Sequence, residues 1–244
     1  MPNKRYQGVL KKKVRYTSVS AEVLHLYRNF ITREGSEYIA TPVTLQALYE
    51  IVRDEDVKRA LEMGAGIGTI SYLLLKFSDA HIDLYEDNDF CKNALIQNLK
   101  NFEGRYTLFD SYTKKPPYQS YDLFIVDGGN GKSHDGGALR SVQFLARVVI
   151  GNPIFYVEGY RHTQRTLLRK ILRKRFIYSI VEYADTVLDG EEFKGGTAIY
   201  CKTSNNPFLR FVSYYYWEVV EFTGIKNAIK YRLKNIFRFI SFLP

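Results

Sequence analysis

The sequence predicts an α/β fold built on a mostly parallel sheet, and three observations carry that prediction. Between residues 40 and 202, short runs rich in β-branched and aromatic residues alternate with stretches whose apolar residues recur three or four apart. A glycine-rich turn, "LEMGAGIG" from Leu61 to Gly68, stands between the first such strand and the helix after it. The last two strands are separated only by the turn-rich "DTVLDGEEFKGG", which predicts a hairpin.

Taken in order, residues 1–40 read as an arm with one helix over "AEVLHLYRNFI". In "ATPVTLQALYEIV", Thr41 is placed as N-cap and Pro42 at the first helical position, where its missing N–H costs nothing. Strands are expected at Arg59–Met63, His81–Tyr85, Arg105–Phe109, Tyr121–Val126, Ile154–Val157, Phe176–Tyr183 and Thr197–Lys202, seven in all. Helices are expected over "GTISYLLLKF", "DFCKNALIQNLKNF", "GGALRSVQFLARVV" and "TQRTLLRKILRKR". The last of these could bind phosphates, but Leu167, Leu168, Ile171 and Leu172 form one apolar stripe, so a sheet-packing helix with a basic outer face is favoured. After Lys202 the composition turns aromatic and basic, with Ile229, Leu233, Ile236 and Ile240 on one helical stripe. The expected organisation is an arm (1–40), a central domain (41–203) and a helical extension (204–244).

With 244 residues, 45% of them hydrophobic, the chain can bury a sizeable core. Its two cysteines, Cys91 and Cys201, are far apart and form no CxxC pair, which argues against a disulfide framework or a zinc site and for a reducing compartment. No apolar run approaches the roughly 18 residues of a membrane span, and "MPNKRYQGVLKKKVRY" lacks the apolar stretch of a signal peptide. The expectation is a cytoplasmic protein, with a peripheral place at a membrane as the variant. The net charge of +9 is concentrated in Lys4–Arg15, Arg161–Arg175 and Lys226–Arg238, none of which contains an acid. Such clusters suit an anionic substrate or surface, or simply a solvated face.

The glycine turn is the first chemical signal. Gly64, Gly66 and Gly68 clear the way for a ligand to reach backbone N–H groups and the positive end of the next helix. A dinucleotide turn reads GxGxxG; here the pattern is ExGxGxG, with Thr69 in place of the third dinucleotide glycine. An acid that accepts ribose hydroxyls is expected about 20 residues further on, at the end of the second strand. Glu86, in "HIDLYEDND", stands there with Asp87 beside it.

Strand-end loops of an open α/β sheet converge on one crevice, which makes the polar residues after the fourth and fifth strands candidates for catalysis. Asp127 opens "VDGGNGKSHDGG", which also holds Lys132, His134 and Asp135. Glu158, in "FYVEGYRHTQ", is followed by Arg161 and His162. The plainer alternatives are that Asp127 caps a helix and that the histidines are exposed loop residues.

These stretches resemble the class I S-adenosylmethionine-dependent methyltransferases. "LEMGAGIG" is similar to their first motif, "LYED" to their ribose-binding acid, "LFDSY" to the position facing adenine, and "YDLFIVDGG" to the fourth-strand motif beside the reactive methyl. The resemblance spans roughly residues 38–202 and implies a Rossmann-like seven-stranded sheet with an antiparallel last strand and helices on both faces. It makes residues 41–203 a methyltransferase-like domain with S-adenosyl-L-methionine as cofactor. Glu62, Gly64, Ala65, Gly66 and Gly68 would then hold the methionine portion, Glu86 and Asp87 the ribose, and Asp110 and Ser111 the adenine. Asp127 would lie beside the methyl, with Asp127, His134 and Glu158 as the catalytic candidates.

"YDLFIVDGG" is also similar to the catechol-type and sugar O-methyltransferases, which implies oxygen methylation of a small-molecule or glycan-like acceptor. There an acid at this position helps to bind Mg²⁺, a hard cation suited to carboxylates. "VEGY" departs from the two adjacent Asp/Asn ligands of those enzymes and leaves only Glu158 as a substitute, so no metal ligands are assigned. "KPPY", Lys115 to Tyr118, is similar to the Asn/Asp-Pro-Pro-aromatic motif of amino-group methyltransferases, but it precedes the fourth strand and has lysine in the amide position. Two competitors share the fold: an aminopropyltransferase of the spermidine synthase type, and a non-catalytic binding protein. The basic, aromatic extension suits packing on the domain, a homo-oligomer formed through its helices, or contact with a membrane surface. Nucleic acid is a weaker alternative, because no RNA- or DNA-binding module is present.

Overall fold

The computed structural model describes residues 13–111, 114, 120–127, 145, 149–159 and 161–217. Lys132, His134 and Asp135, the "KPPY" stretch, the tail from residue 218, and all but Leu145 and Val149 of the helix expected over "GGALRSVQFLARVV" lie outside these residues.

Among the described residues, ten strands and six α-helices can be bounded, in this order. The strands are β1 (Lys13–Arg15), β2 (Arg59–Met63), β3 (His81–Tyr85), β4 (Tyr106–Phe109), β5 (Leu123–Val126), β6 (Ile154–Glu158), β7 (Phe176–Tyr183), β8 (Thr186–Leu188), β9 (Glu191–Phe193) and β10 (Gly196–Thr203). The helices are α1 (Ala21–Ile31), α2 (Pro42–Asp54), α3 (Thr69–Phe77), α4 (Asp89–Leu99), α5 (His162–Leu172) and α6 (residues 207–217). The α2 start is as the sequence dictates: Thr41 has extended backbone, and its Oγ1 accepts the Thr44 N–H at 3.1 Å.

The main sheet runs β4-β3-β2-β5-β6-β10-β7-β1, with every pair parallel except those of β10, which is antiparallel to both β6 and β7. The expected hairpin partners therefore pair, but the sheet has eight strands and not the expected seven. The added member is β1, which joins the β7 edge with Lys13 opposite Val181 and Arg15 opposite Tyr183. Three residues held by backbone pairing at an edge have no hydrophobic period to betray them. The connection before β10 also folds into a small β8–β9 hairpin, where Asp189 (φ 52°) and Gly190 (φ 87°) supply the two left-handed positions of a tight turn.

Alternation along the strands divides the core into two layers. Ala60, Leu123, Ile125, Ile154, Tyr156 and Ala198 face α1 to α4; the layer includes Val23 and Phe30 of α1, so the arm packs into the same core. Leu61, Met63, Phe124, Val126, Phe155, Tyr178 and Ile199 face the other way, against Leu168 and Leu172 of α5 and Trp217 of α6. Helices thus cover both faces. Of the α5 stripe, Leu168 and Leu172 are fully buried, and so, unexpectedly, is Arg169, whose Nη1 donates to the Trp217 carbonyl at 3.1 Å. No helix among the described residues is long and apolar enough to cross a membrane.

Trp217 seals the second layer. It is 1% exposed, and its indole N–H donates to the Tyr178 carbonyl at 2.9 Å. Trp217→Ala should cost about 3–5 kcal/mol of stability, by urea denaturation, through lost burial and the lost indole hydrogen bond. A loss below about 1 kcal/mol would show that α6 is not part of the cooperative core.

Candidate active site

The glycine turn leaves β2 at the carboxyl end of the parallel strands and enters α3. Gly64, Gly66 and Gly68 all have positive φ, at 80°, 54° and 87°. At Gly66 a side chain is excluded twice over, since a Cβ there would also collide with the Tyr38 carbonyl oxygen of the arm. The turn is held from β3: Tyr85 O accepts the N–H groups of Gly64 (2.9 Å) and Ala65 (3.2 Å). Thr69, the first residue of α3, is 2% exposed, and its buried hydroxyl has no hydrogen-bond partner among the described residues.

Glu86 lies where the sequence places it, one strand over. Its Oε2 accepts the Gly66 N–H at 2.7 Å and its Oε1 the Asn88 N–H at 3.0 Å. Burial raises its pKa, against the lowering effect of those two bonds. Asp87 beside it is exposed. Asp110, after β4, is exposed and paired to Lys114 at 2.8 Å, which lowers its pKa; Ser111 follows it. Glu62 behaves differently from a surface acid. It is 1% exposed beneath the turn, accepts the Ser71 hydroxyl at 2.6 Å, and has its pKa pushed up to about 8 by burial, with Glu86 and Glu158 adding to the rise.

Asp127 and Glu158 end neighbouring strands one step beyond the Val126–Val157 pair, and both point to the sheet face shared with Glu62. Arg161 joins them. Its Nη2 donates to Asp127 Oδ1 and lies 3.6 Å from Glu158 Oε2. Glu158 Oε1 also accepts the Thr41 N–H at 3.2 Å, which places this carboxylate at the positive end of α2. Burial raises the Asp127 pKa well above the usual carboxylate range; Glu158 adds to the rise and Arg161 opposes it. Under Glu158, the buried Tyr156 hydroxyl donates to Thr44 Oγ1 at 3.3 Å. Directly after Glu158 a cleft of about 220 Å³ opens, lined by Gly159, Arg165, Glu182, Asp185, Gly195 and Thr197.

Two predicted groups therefore come together at one end of the sheet: the turn with Glu86, and Asp127 with Glu158. His134 lies outside the described residues. Three participants were not foreseen in these roles. Arg161 was visible only as a cation near Glu158, and Tyr38 and Tyr156 left no signal, because the arm's path and the inward face of β6 are tertiary facts. The described residues do not fit a Mg²⁺ ion. A guanidinium already contacts both carboxylates that would ligate it, and no group of three or more metal-ligating side chains exists among the described residues.

No protein-family model matches the chain, and no curated protein matches it. Solved structures do. The chain is similar to an O-methyltransferase from Bacillus cereus in complex with SAH (TM-score 0.56, 11% identity, 75% of this chain and 91% of that one). It is also similar to a SAH-bound methyltransferase from Podospora anserina (0.52, 16%, 77% and 91%). A third is the O-methyltransferase TomG from Streptomyces achromogenes, involved in tomaymycin synthesis, in complex with SAM (0.52, 12%, 78% and 92%). The fold is that of the class I S-adenosylmethionine-dependent methyltransferases, and at these identities the likeness speaks for the fold alone.

The raised Glu62 carboxyl makes stability depend on pH. A folded pKa near 8 against an unfolded value near 4.5 favours folding below pH 4.5, and that advantage is lost as pH rises through 8. Glu62→Gln, which keeps an acceptor for Ser71, should raise Tm at pH 9 and leave it nearly unchanged at pH 4. Equal shifts at both pH values would mean that Glu62 is not buried as an acid.

Proposed function

We propose that the protein is a cytoplasmic S-adenosylmethionine-dependent methyltransferase that methylates a hydroxyl oxygen of a small, glycan-like acceptor without a metal ion. The observation that carries this reading is the meeting of the glycine turn and Glu86 with the Asp127–Arg161–Glu158 cluster at one sheet end. The positive-φ turn offers a close backbone approach, Glu86 offers a carboxylate for two ribose hydroxyls, and Thr69 has a buried hydroxyl to spare. These features fit S-adenosylmethionine, which when bound supplies an electrophilic methyl group on a sulfonium.

The chain's own contribution is positioning and proton removal. Burial and the neighbouring Glu158 carboxylate raise the affinity of Asp127 for a proton, which makes Asp127, once ionised, a stronger base than an ordinary carboxylate. With the cofactor and an acceptor hydroxyl in place, Asp127 would take the hydroxyl proton as the oxygen is methylated. Arg161 keeps the two carboxylates together and keeps them from repelling one another as the charge changes. The cleft beyond Glu158, with Arg165, Glu182, Asp185 and Thr197 on its walls, supplies donors and acceptors suited to a polyhydroxylated acceptor.

Calorimetry with SAH tests the cofactor assignment; binding is expected, and weakening by Glu86→Ala with it. No binding of SAM or SAH would sink the enzyme reading, whereas preference for decarboxylated SAM would point to aminopropyl transfer. Once an acceptor is found, kcat should rise with pH above the ordinary carboxylate range and be insensitive to EDTA. Asp127→Asn should lower kcat about 10²-fold or more and abolish that pH limb, with SAH affinity nearly unchanged. A flat profile in the wild type would remove the carboxylate pair from the chemistry.

A further inference from the structure

The last described helix presents a row of aromatic rings to solvent that the fold does not need. On α6, Phe208, Phe211 and Tyr215 are spaced three and four apart and are 68%, 57% and 49% exposed; Phe211 and Tyr215 lie in contact, with ring centroids 4.3 Å apart. Leu209 beside them is also exposed. The opposite side of the same helix is firmly docked through buried Ser213, Tyr214 and Trp217, so the exposed side is a fixed face.

Cations border this row. Arg210 donates to the Lys174 carbonyl at 2.6 Å, Arg173 lies over the Tyr214 ring at 4.9 Å, and Lys170, Arg173, Lys174 and Arg175 are all exposed. Neither 161–175 nor 202–217 contains an acid, and the sequence beyond Glu221 adds five Lys or Arg and again no acid. The face lies beside the amino-terminal half of β7, at the end of the sheet away from the glycine turn, so occupying it leaves the candidate active site open.

We propose that this aromatic and cationic face of α5 and α6 docks the protein on an anionic lipid surface. Rings seated at headgroup level with flanking Lys and Arg on phosphates are the chemistry such a surface recognises. A second copy fits poorly, because a two-fold interface would press this acid-free patch against itself and bring like charges together. The row of Phe, Phe and Tyr with Leu209 is also continuous and apolar, without the gaps that would let separate bases of a nucleic acid stack.

Cosedimentation of the full chain with phosphatidylcholine vesicles, and with vesicles of phosphatidylcholine mixed with phosphatidylglycerol, tests this. Binding should be confined to the anionic vesicles and fall as salt is raised. The F208S/F211S/Y215S variant should melt at the wild-type temperature and bind at least about tenfold more weakly. K170E/K174E, which leaves the rings in place, should weaken binding as well. Four results would overturn the proposal: equal binding to neutral vesicles, unchanged binding by both variants, a dimer that the triple variant abolishes in the absence of vesicle binding, or tighter association with a single-stranded RNA oligonucleotide than with vesicles.

Discussion

The contact on which the site depends is the one Arg161 makes with Asp127 and Glu158. Two carboxylates at the ends of adjacent parallel strands, with Glu62 on the same face one strand further, would repel one another and resist burial if left alone. The guanidinium offsets that repulsion. The residual cost appears as proton retention, in the raised pKa values of Asp127 and Glu62. A site arranged this way is a poor structural cement and a good place to move a proton.

The rest of the fold serves that contact. Parallel order from β4 through β2 to β6 brings the turn, Glu86, Asp127 and Glu158 to one edge, because all these strands end there. The arm and the α2 cap add backbone to the site: the Tyr38 carbonyl sits on Gly66, and the Thr41 N–H bonds Glu158. Antiparallel β10 brings Gly196 opposite Glu158, where a Cβ would strike the Tyr156 ring, so this strand must begin without a side chain. Helix α6 closes the other face with Trp217 and leaves its aromatic outer side exposed.

What could be read from the sequence is what local pattern determines. β2, β3 and β7 match their expected limits because alternating or continuous apolar runs end in turn residues, and Thr41-Pro42 opens α2 because capping is a short-range affair. The positions of the ExGxGxG turn and Glu86 were legible because glycine spacing after one strand and an acid at the end of the next are local features of the sequence. β1 was not legible: three residues on an edge carry no period. Nor was the inward turn of Arg169, since a cation in a basic run looks solvated until its carbonyl partner, Trp217, is brought from 48 residues away. Arg161 was legible as a charge but not as a bridge, because its two partners meet only through sheet order.

The most direct test of this view is a crystal structure with SAH bound. The expected result has both ribose hydroxyls on Glu86, the backbone of Gly64–Gly68 against the methionine portion, and the sulfur facing Asp127 and Glu158 with Arg161 still in contact with both. SAH seated away from Glu86, or an Asp127–Glu158 pair opened to hold a metal ion in place of Arg161, would contradict it.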